Sequence, residues 1–359
     1  MSRAKELADL GGSADAGGIT GRNIIINGAM TVDQRTQTTT ATGYTVDRFH
    51  IGKFNFDELV IAVTQDTDNP SGNGFANSLK LAVTTAESGI AADELLYYNT
   101  RLEGQNLQNL CYGTSSAKSL TLSFWVKSPL AGKHAVTFYQ TTPARSNLQS
   151  YTVSSANTWE YKTITIDGDA LGNIANDNSV ELYVYWPLAG GSDYHGTPHT
   201  GWGAYSATDD FMFSDQVNLA GQTGNFFLTG VQLEVGSATP FEHEPFAVTK
   251  HKCQRYYQRA GNVSGFFTNT TGRVRGVLVG ETGMRAAPTA SNTTGLTLFY
   301  KNTSTGASAI TIFTAPVNFR NGPASFIDFD TVATSTVQGQ GCAGDSNTDA
   351  RYFELDAEL

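Results

Sequence analysis

Charge is scarce in this chain: 16% of its 359 residues are Asp, Glu, Lys or Arg, where about 25% is ordinary. The balance is acidic, at a net charge of −10 and a pI near 5.0. Phosphate backbones bind to clustered Lys and Arg, so nucleic acid and anionic membrane are poor partners. Cysteine is rarer still. Cys111, Cys253 and Cys342 are too few and too scattered for a disulfide framework or a Cys-rich zinc site, and read as buried thiols. No apolar run approaches the ~20 residues of a membrane span. The opening Met1-Ser2-Arg3-Ala4-Lys5-Glu6 leads into no apolar stretch that could act as a signal peptide, so the expectation is synthesis in a cytosol without membrane insertion.

Glycine, threonine and aromatic rings are abundant: 37 Gly, 45 Thr, 20 Phe and 15 Tyr, with 40% hydrophobic residues overall. That combination describes a turn-rich β protein with a sizeable core and excludes a disordered chain. At roughly 150 residues per domain, the length predicts two domains.

Apolar and polar residues alternate with period two at 23–27, 59–64, 79–84, 120–127, 135–140, 161–166, 180–186 and 226–235, and clusters of Gly, Asn, Ser and Thr separate these runs. So many short strands predict a two-sheet sandwich. The alternation stops near Pro240, and 246–259 reads as a short helix or an extended connector. Strand-like runs resume at 273–279, 296–300, 309–313, 325–329 and 351–359. The expected organisation is an attachment peptide at 1–22, a β-sandwich at 23–245, a connector at 246–258 and a C-terminal β domain at 259–359.

Catalytic patterns are thin. Asp193, His195 and His199 have metal-like spacing, but Gly196 and Pro198 forbid the helix that would align the imidazoles, leaving a polar loop tip. Asp328 and Asp330 share one face of a predicted strand about 6.5 to 7 Å apart, a spacing that permits a glycosidase pair but is far more often that of a solvated strand face. Nucleophile elbow, complete phosphate loop and dinucleotide fingerprint are all missing. The expectation is no enzyme, no cofactor and no metal site.

The aromatics say more. Leu120, Leu122, Phe124 and Val126 point one way, which turns Trp125 to the polar side. Leu182, Val184 and Trp186 likewise leave Tyr183 and Tyr185 opposite, and Val136 and Phe138 leave Tyr139. If these strands share a sheet, its outer face carries Trp125, Tyr139, Tyr183 and Tyr185. Tyr194, Trp202 and Tyr205 then stand at the rim. Rings with polar tips among hydroxyls suit a carbohydrate ligand. The same placement serves rings lying under a neighbouring loop or subunit.

Several phrases resemble a family found in bacteriophage tail fibres and other virion appendages. One is Arg22-Asn23-Ile24-Ile25-Ile26-Asn27-Gly28-Ala29-Met30, followed by Tyr44-Thr45-Val46-Asp47-Arg48-Phe49, where the family usually has Trp in place of Phe49. Others are Arg101-Leu102-Glu103-Gly104-Gln105-Asn106-Leu107, Ser119-Leu120-Thr121-Leu122-Ser123-Phe124-Trp125-Val126-Lys127 and Thr229-Gly230-Val231-Gln232-Leu233-Glu234-Val235-Gly236. Cys253-Gln254-Arg255-Tyr256-Tyr257 closes the series, which spans roughly residues 22–258.

The resemblance implies an all-β virion protein: a jelly-roll β-sandwich like that of carbohydrate-binding modules, then a smaller C-terminal β domain. It implies a tail fibre or adhesin that binds host-surface glycan during adsorption, docks to other virion proteins through residues 1–22 and assembles as a homotrimer. Two alternatives stay open, a purely structural decoration of capsid or tail and a surface-polysaccharide depolymerase. Some such jelly rolls hold calcium through acidic ligands on their first and last strands; Leu228-Thr229-Gly230-Val231 offers none.

Overall fold

The computed structural model describes residues 21–195, 200–206 and 211–260, and beyond these the stretches 263–270, 273–279, 283–286, 288–292, 296–302, 306–312, 324–330, 341–344 and 353–359. After Arg259, side chains are described at 283–286, 288–289 and from Glu354 onward. The attachment peptide expected at 1–22 lies outside these residues except for Gly21 and Arg22. So do His199 and the side chains of Asp328, Asp330 and Cys342.

The chain divides into two units, Met1–Phe246 and Ala247–Leu359. The first holds twelve strands among its described residues: β1 (Gly43–Tyr44), β2 (His50–Phe54), β3 (Val60–Asp66), β4 (Ser78–Thr85), β5 (Leu95–Glu103), β6 (Leu120–Lys127), β7 (Gly132–Gln140), β8 (Arg145–Val153), β9 (Glu160–Ile166), β10 (Val180–Gly190), β11 (Gly203–Ala204) and β12 (Gly224–Val235). They form a seven-stranded sheet in the order β1-β2-β5-β10-β7-β8-β11 and a five-stranded sheet in the order β3-β4-β12-β6-β9. The chain passes from one sheet to the other at β2→β3, β4→β5, β5→β6, β6→β7, β8→β9, β9→β10 and β11→β12. Two antiparallel sheets exchanging the chain in this way make a jelly-roll β-sandwich.

Alternation explains the core. Leu120, Leu122, Phe124 and Val126 of β6 face Leu182, Val184 and Trp186 of β10, all fully buried. Trp186 is the hub: Phe124 meets it edge-on at 5.8 Å between ring centroids, and Phe49 packs against it at 6.5 Å.

The N-terminal run 23–27 is not a strand. Asn27 (φ 62°) and Met30 (φ 56°) are left-handed, which breaks a strand into a turn. The Asn27 carboxamide holds that turn by donating to the carbonyls of Val32 and Asp47. Opposite it, β12 carries a bulge at Gly230 (φ 61°), where the register against β6 shifts. A Cβ on Gly28 would sit 1.9 Å from the Val231 carbonyl oxygen, so only glycine lets the turn close on the bulge. Of the thiols, Cys253 is buried as expected, whereas Cys111 is half-exposed because it ends a 3-10 turn in a left-handed conformation (φ 55°).

The second unit is also β-rich. After the helix α1 (Phe246–Gln254), β13 (Tyr257–Ala260) pairs with the chain's last strand, Phe353–Asp356, which also pairs with Thr289–Asn292. Arg285 donates to the Ala357 carbonyl, and Met284, Leu355 and Ala357 are buried. A six-stranded sheet includes Val263–Thr270, Arg273–Val279, Leu296–Asn302, Gly306–Ile312, Ala324–Asp330 and Gly341–Gly344.

Buried histidines make the sandwich sensitive to acid. His134 stacks on Tyr151 with centroids 5.2 Å apart and bonds the Leu130 carbonyl. Burial, with a smaller repulsion from Lys162, lowers its pKa from 6.5 to about 4; burial, Arg101 and Arg35 do the same to His50. Above pH 6.5 neither state takes up the proton. Between pH 6.5 and 4 the unfolded chain does and the folded chain does not, so stability falls with pH and levels off near 4. By pH 5 each histidine costs about 2 kcal/mol. His134→Phe should therefore shrink the stability lost between pH 7 and pH 5 by about that amount, read from urea midpoints at the two pH values. An equal loss in variant and wild type would contradict the assignment.

Candidate carbohydrate-binding face

The outer face of the seven-stranded sheet is built around β5. Leu96, Tyr98 and Leu102 enter the core, so Tyr97, Asn99 and Arg101 point outward. Register then fixes their neighbours. Tyr97 lies opposite Gly52 and Pro187, Asn99 opposite His50 and Tyr185, and Arg101 opposite Tyr183. Across the next pairing, Tyr183 faces Tyr139 and Tyr185 faces Thr137.

The rings form one connected band. Tyr183 and Tyr185 are parallel with centroids 5.3 Å apart, and Tyr139 tilts against Tyr183 at 5.7 Å and Tyr205 at 4.5 Å. Tyr97 meets Tyr185 edge-on at 5.1 Å and stacks with Phe54 at 6.0 Å. Phe211 closes the band over Tyr185 and Tyr97, at 5.0 and 5.6 Å, and reaches Tyr194 at 6.2 Å. Its carbonyl accepts a 2.7 Å hydrogen bond from the buried Thr137 hydroxyl, which ties that segment to the sheet.

Gly52 makes room for Tyr97. A Cβ there would lie 2.3 Å from the ring's Cζ, so the ring rests across β2 where no side chain stands. At the other end the Arg101 guanidinium sits 5.5 Å from the Tyr183 centroid and 5.8 Å from that of Tyr44. Burial raises the pKa of Tyr97, Tyr139 and Tyr185, with neighbouring phenols adding to the effect. These hydroxyls keep their protons at neutral pH and can donate.

Tyr139, Tyr183 and Tyr185 thus come together as the alternation predicts, and Tyr194 and Tyr205 border them. Trp125 does not join them. Its strand β6 belongs to the five-stranded sheet, where Trp125 faces outward against Tyr161 at 5.5 Å, on the far side of the sandwich. Period two assigns a side chain to a face but cannot say which sheet the strand enters. Trp202 is a structural anchor rather than a rim residue. Its indole donates to the Asp167 carbonyl at 2.8 Å, its ring packs edge-on against Tyr112, and it lies against the main core.

Period-two alternation alone misses β2 and β5, and with them Phe54, Tyr97, Asn99 and Arg101. Leu95-Leu96 and Tyr97-Tyr98 put bulky residues on both faces, which blurs the signal. Among the described residues no group of three or more His, Cys, Asp and Glu is placed to hold a metal ion.

No protein-family model and no curated protein matches this chain. Among solved structures it is similar to the enzymatically active domain of tailspike protein 4 of bacteriophage CBA120, at 10% identity and a TM-score of 0.34; the match covers 60% of this chain and 22% of the tailspike chain. It is also similar to the family 11 carbohydrate-binding module of a Clostridium thermocellum cellulosomal cellulase, at 13% identity and a TM-score of 0.28, covering 58% of this chain and 99% of that one. A third is TmCBM61 in complex with β-1,4-galactotriose, at 10% identity and a TM-score of 0.28, covering 60% and 100%. At such scores the jelly-roll assignment stands on the strand order itself.

Gly52→Ala tests the seat of Tyr97. The atom the new methyl meets is the far end of a ring that can swing away, so the fold should survive. The Tyr97 ring resonances, assigned by selective labelling, should shift while those of Tyr151 in the core stay. An unmoved Tyr97 signal would show that the ring is not held over β2.

Proposed function

We propose that this chain is a non-enzymatic structural protein of a bacteriophage particle, a tail fibre or adhesin, and that it holds host-surface carbohydrate on the tyrosine band of the seven-stranded sheet. The band itself carries the carbohydrate part of this reading. A sugar offers apolar C–H surface and a rim of hydroxyls, and it needs a surface that is apolar in body and polar at its tips. Tyr139, Tyr183, Tyr185, Tyr194 and Tyr205 are half-buried in this sense, and Arg101 and Asn99 lie among them on a side of the sheet the core does not use. The phage part is supported by the ordered phrases between Arg22 and Tyr257.

The same reading places the protein in the virion, assembled in the host cytoplasm, docked through residues 1–22 and associated as a homotrimer through residues 259–359. A trimer presents several weak sugar sites together, which raises the effective concentration for each later contact. Light scattering on the full-length protein should then give about three times the chain mass of 38.4 kDa; a stable folded monomer at micromolar concentration would count against association.

Tyr139→Ala combined with Tyr183→Ala is the direct test of the band. Both rings lie outside the core cluster, so the melting temperature should change little. Each lost ring contact is worth about 1 kcal/mol, so binding to host cells and to purified surface polysaccharide should weaken roughly tenfold or more. A folded double variant that adsorbs as well as wild type would remove the band from the proposal.

A further inference from the structure

Beneath the tyrosine rings lies a pair of polar side chains that the fold leaves unused. Asn99 is 0% exposed and His50 8% exposed. The Nδ2 and Oδ1 atoms of Asn99 and the Nδ1 of His50 are buried without a hydrogen-bond partner. They are cross-strand neighbours in the β2–β5 register, on the face that carries Tyr97 and Arg101. Leaving a buried polar group without a hydrogen bond is destabilising, and a leucine of similar volume would avoid that loss. Thr137, on the same face beside Tyr185, shows the ordinary solution, since its hydroxyl is bonded to the Phe211 carbonyl. The Asn99 carboxamide and the His50 Nδ1 thus stand side by side with open hydrogen-bonding capacity on the sheet face turned away from the core.

We infer that Asn99 and His50 form the floor of a subsite that takes an uncharged pair of neighbouring sugar hydroxyls. This rests on the carbohydrate reading of the tyrosine band and adds the chemical class of the sugar. A carboxamide sets a donor and an acceptor side by side, which matches two adjacent hydroxyls, each able to donate and accept a hydrogen bond. His50 brings a neutral ring, because burial and the nearby Arg101 and Arg35 keep its pKa near 4. Neither floor residue carries a charge, and the two guanidiniums nearby are already engaged, Arg35 with Asp47 at 3.8 Å and Arg101 over the Tyr44 and Tyr183 rings. The walls are aromatic: Tyr185 lies opposite Asn99, Tyr97 meets Tyr185 edge-on, and Tyr44 meets His50 edge-on at 5.0 Å. Single edge contacts of this kind are weak, so one ring can turn aside to admit a sugar edge. The floor is covered in the free protein and reached when sugar displaces a ring.

The experiment uses full-length protein against defined neutral hexose trisaccharides and their uronic-acid counterparts. Wild type should prefer the neutral set. Asn99→Leu should weaken binding of the tightest neutral trisaccharide at least roughly tenfold while its melting temperature holds or rises, a result a purely structural asparagine would not produce. Monodeoxy analogues lacking either hydroxyl of the contacted pair should lose affinity for wild type and none further for Asn99→Leu. The deoxy series on wild type decides the matter even if Asn99→Leu does not fold: no sensitive hydroxyl pair means no such subsite. Preference for the acidic set, or an Asn99→Leu variant that binds as wild type does, would overturn the inference. If Tyr139→Ala with Tyr183→Ala abolishes trisaccharide binding and Asn99→Leu does not, the carbohydrate reading stands and this inference falls. If wild type binds neither trisaccharides nor host polysaccharide, both fall.

Discussion

The pairing of β10 between β5 and β7 is the constraint on which both the core and the candidate site depend. Leu182, Val184 and Trp186 turn inward from β10 and are fully buried, while Tyr183 and Tyr185 turn outward. A slip of one residue would exchange the two sets, placing phenol groups against Phe124 and exposing an indole at the centre of the present core. The cost of stranding Trp186 alone, about 3 to 5 kcal/mol by analogy with large core truncations, is comparable with the whole stability of many domains. Register is therefore enforced by the interior, and the outer band inherits its precision from packing on the opposite side of the strand.

The phrases that resemble those of phage appendages act one level below this. Those around residues 23–30, 44–49 and 229–236 meet in a clasp at the sandwich edge. Asn23 donates to the Val231 carbonyl and accepts from the Leu233 amide, Gly28 touches the bulge in β12, and Asn27 reaches the Asp47 carbonyl. Asp47 is buried and accepts from the Gln34 amide, with Arg35 3.8 Å away. The next residue, Arg48, donates to the Arg101 carbonyl at 2.6 Å. That bond links the clasp to β5, the strand that carries Tyr97, Asn99 and Arg101. These phrases thus position the candidate site and overlap it at two residues, Tyr44 and Arg101, whose guanidinium lies 5.8 Å from the Tyr44 ring centroid.

How much is legible in the sequence depends on what period two can encode. It places β6 at 120–127 to the residue and sets Tyr139, Tyr183 and Tyr185 on the solvent side, because in those strands the opposite face is dominated by large apolar residues. It fails at 23–27, where alternating Ile and Asn mimic a strand but left-handed Asn27 and Met30 make a turn. It fails again at β5, where Leu95 and Tyr97 make the outward face bulky at the start of the strand and blur the alternation there. Trp125 is assigned to the correct side of its strand and the wrong side of the molecule, since sheet membership is decided by crossovers that no local pattern records. Trp202 is read from composition alone, and a tryptophan in a Gly-rich loop serves equally well to seal an edge.

The band combines rigidity with one weak point, and the two have different consequences for binding. Tyr183 and Tyr185 lie parallel, Tyr139 leans on both Tyr183 and Tyr205, and Phe211 is pinned through Thr137. Rings already immobilised by one another lose little side-chain entropy when a ligand arrives, which is the saving that preorganised aromatic surfaces offer. The region above Asn99 and His50 is different, because the polar floor is met only after a ring moves. Opening it subtracts from affinity by whatever the covering edge contacts are worth, and a ligand unable to hydrogen-bond the floor gains nothing in return. On the carbohydrate reading proposed above, the stacked part of the band would set how readily sugars in general adhere, and the covered part would discriminate among them. The core under both, centred on Trp186, absorbs the energetic cost of keeping that floor polar.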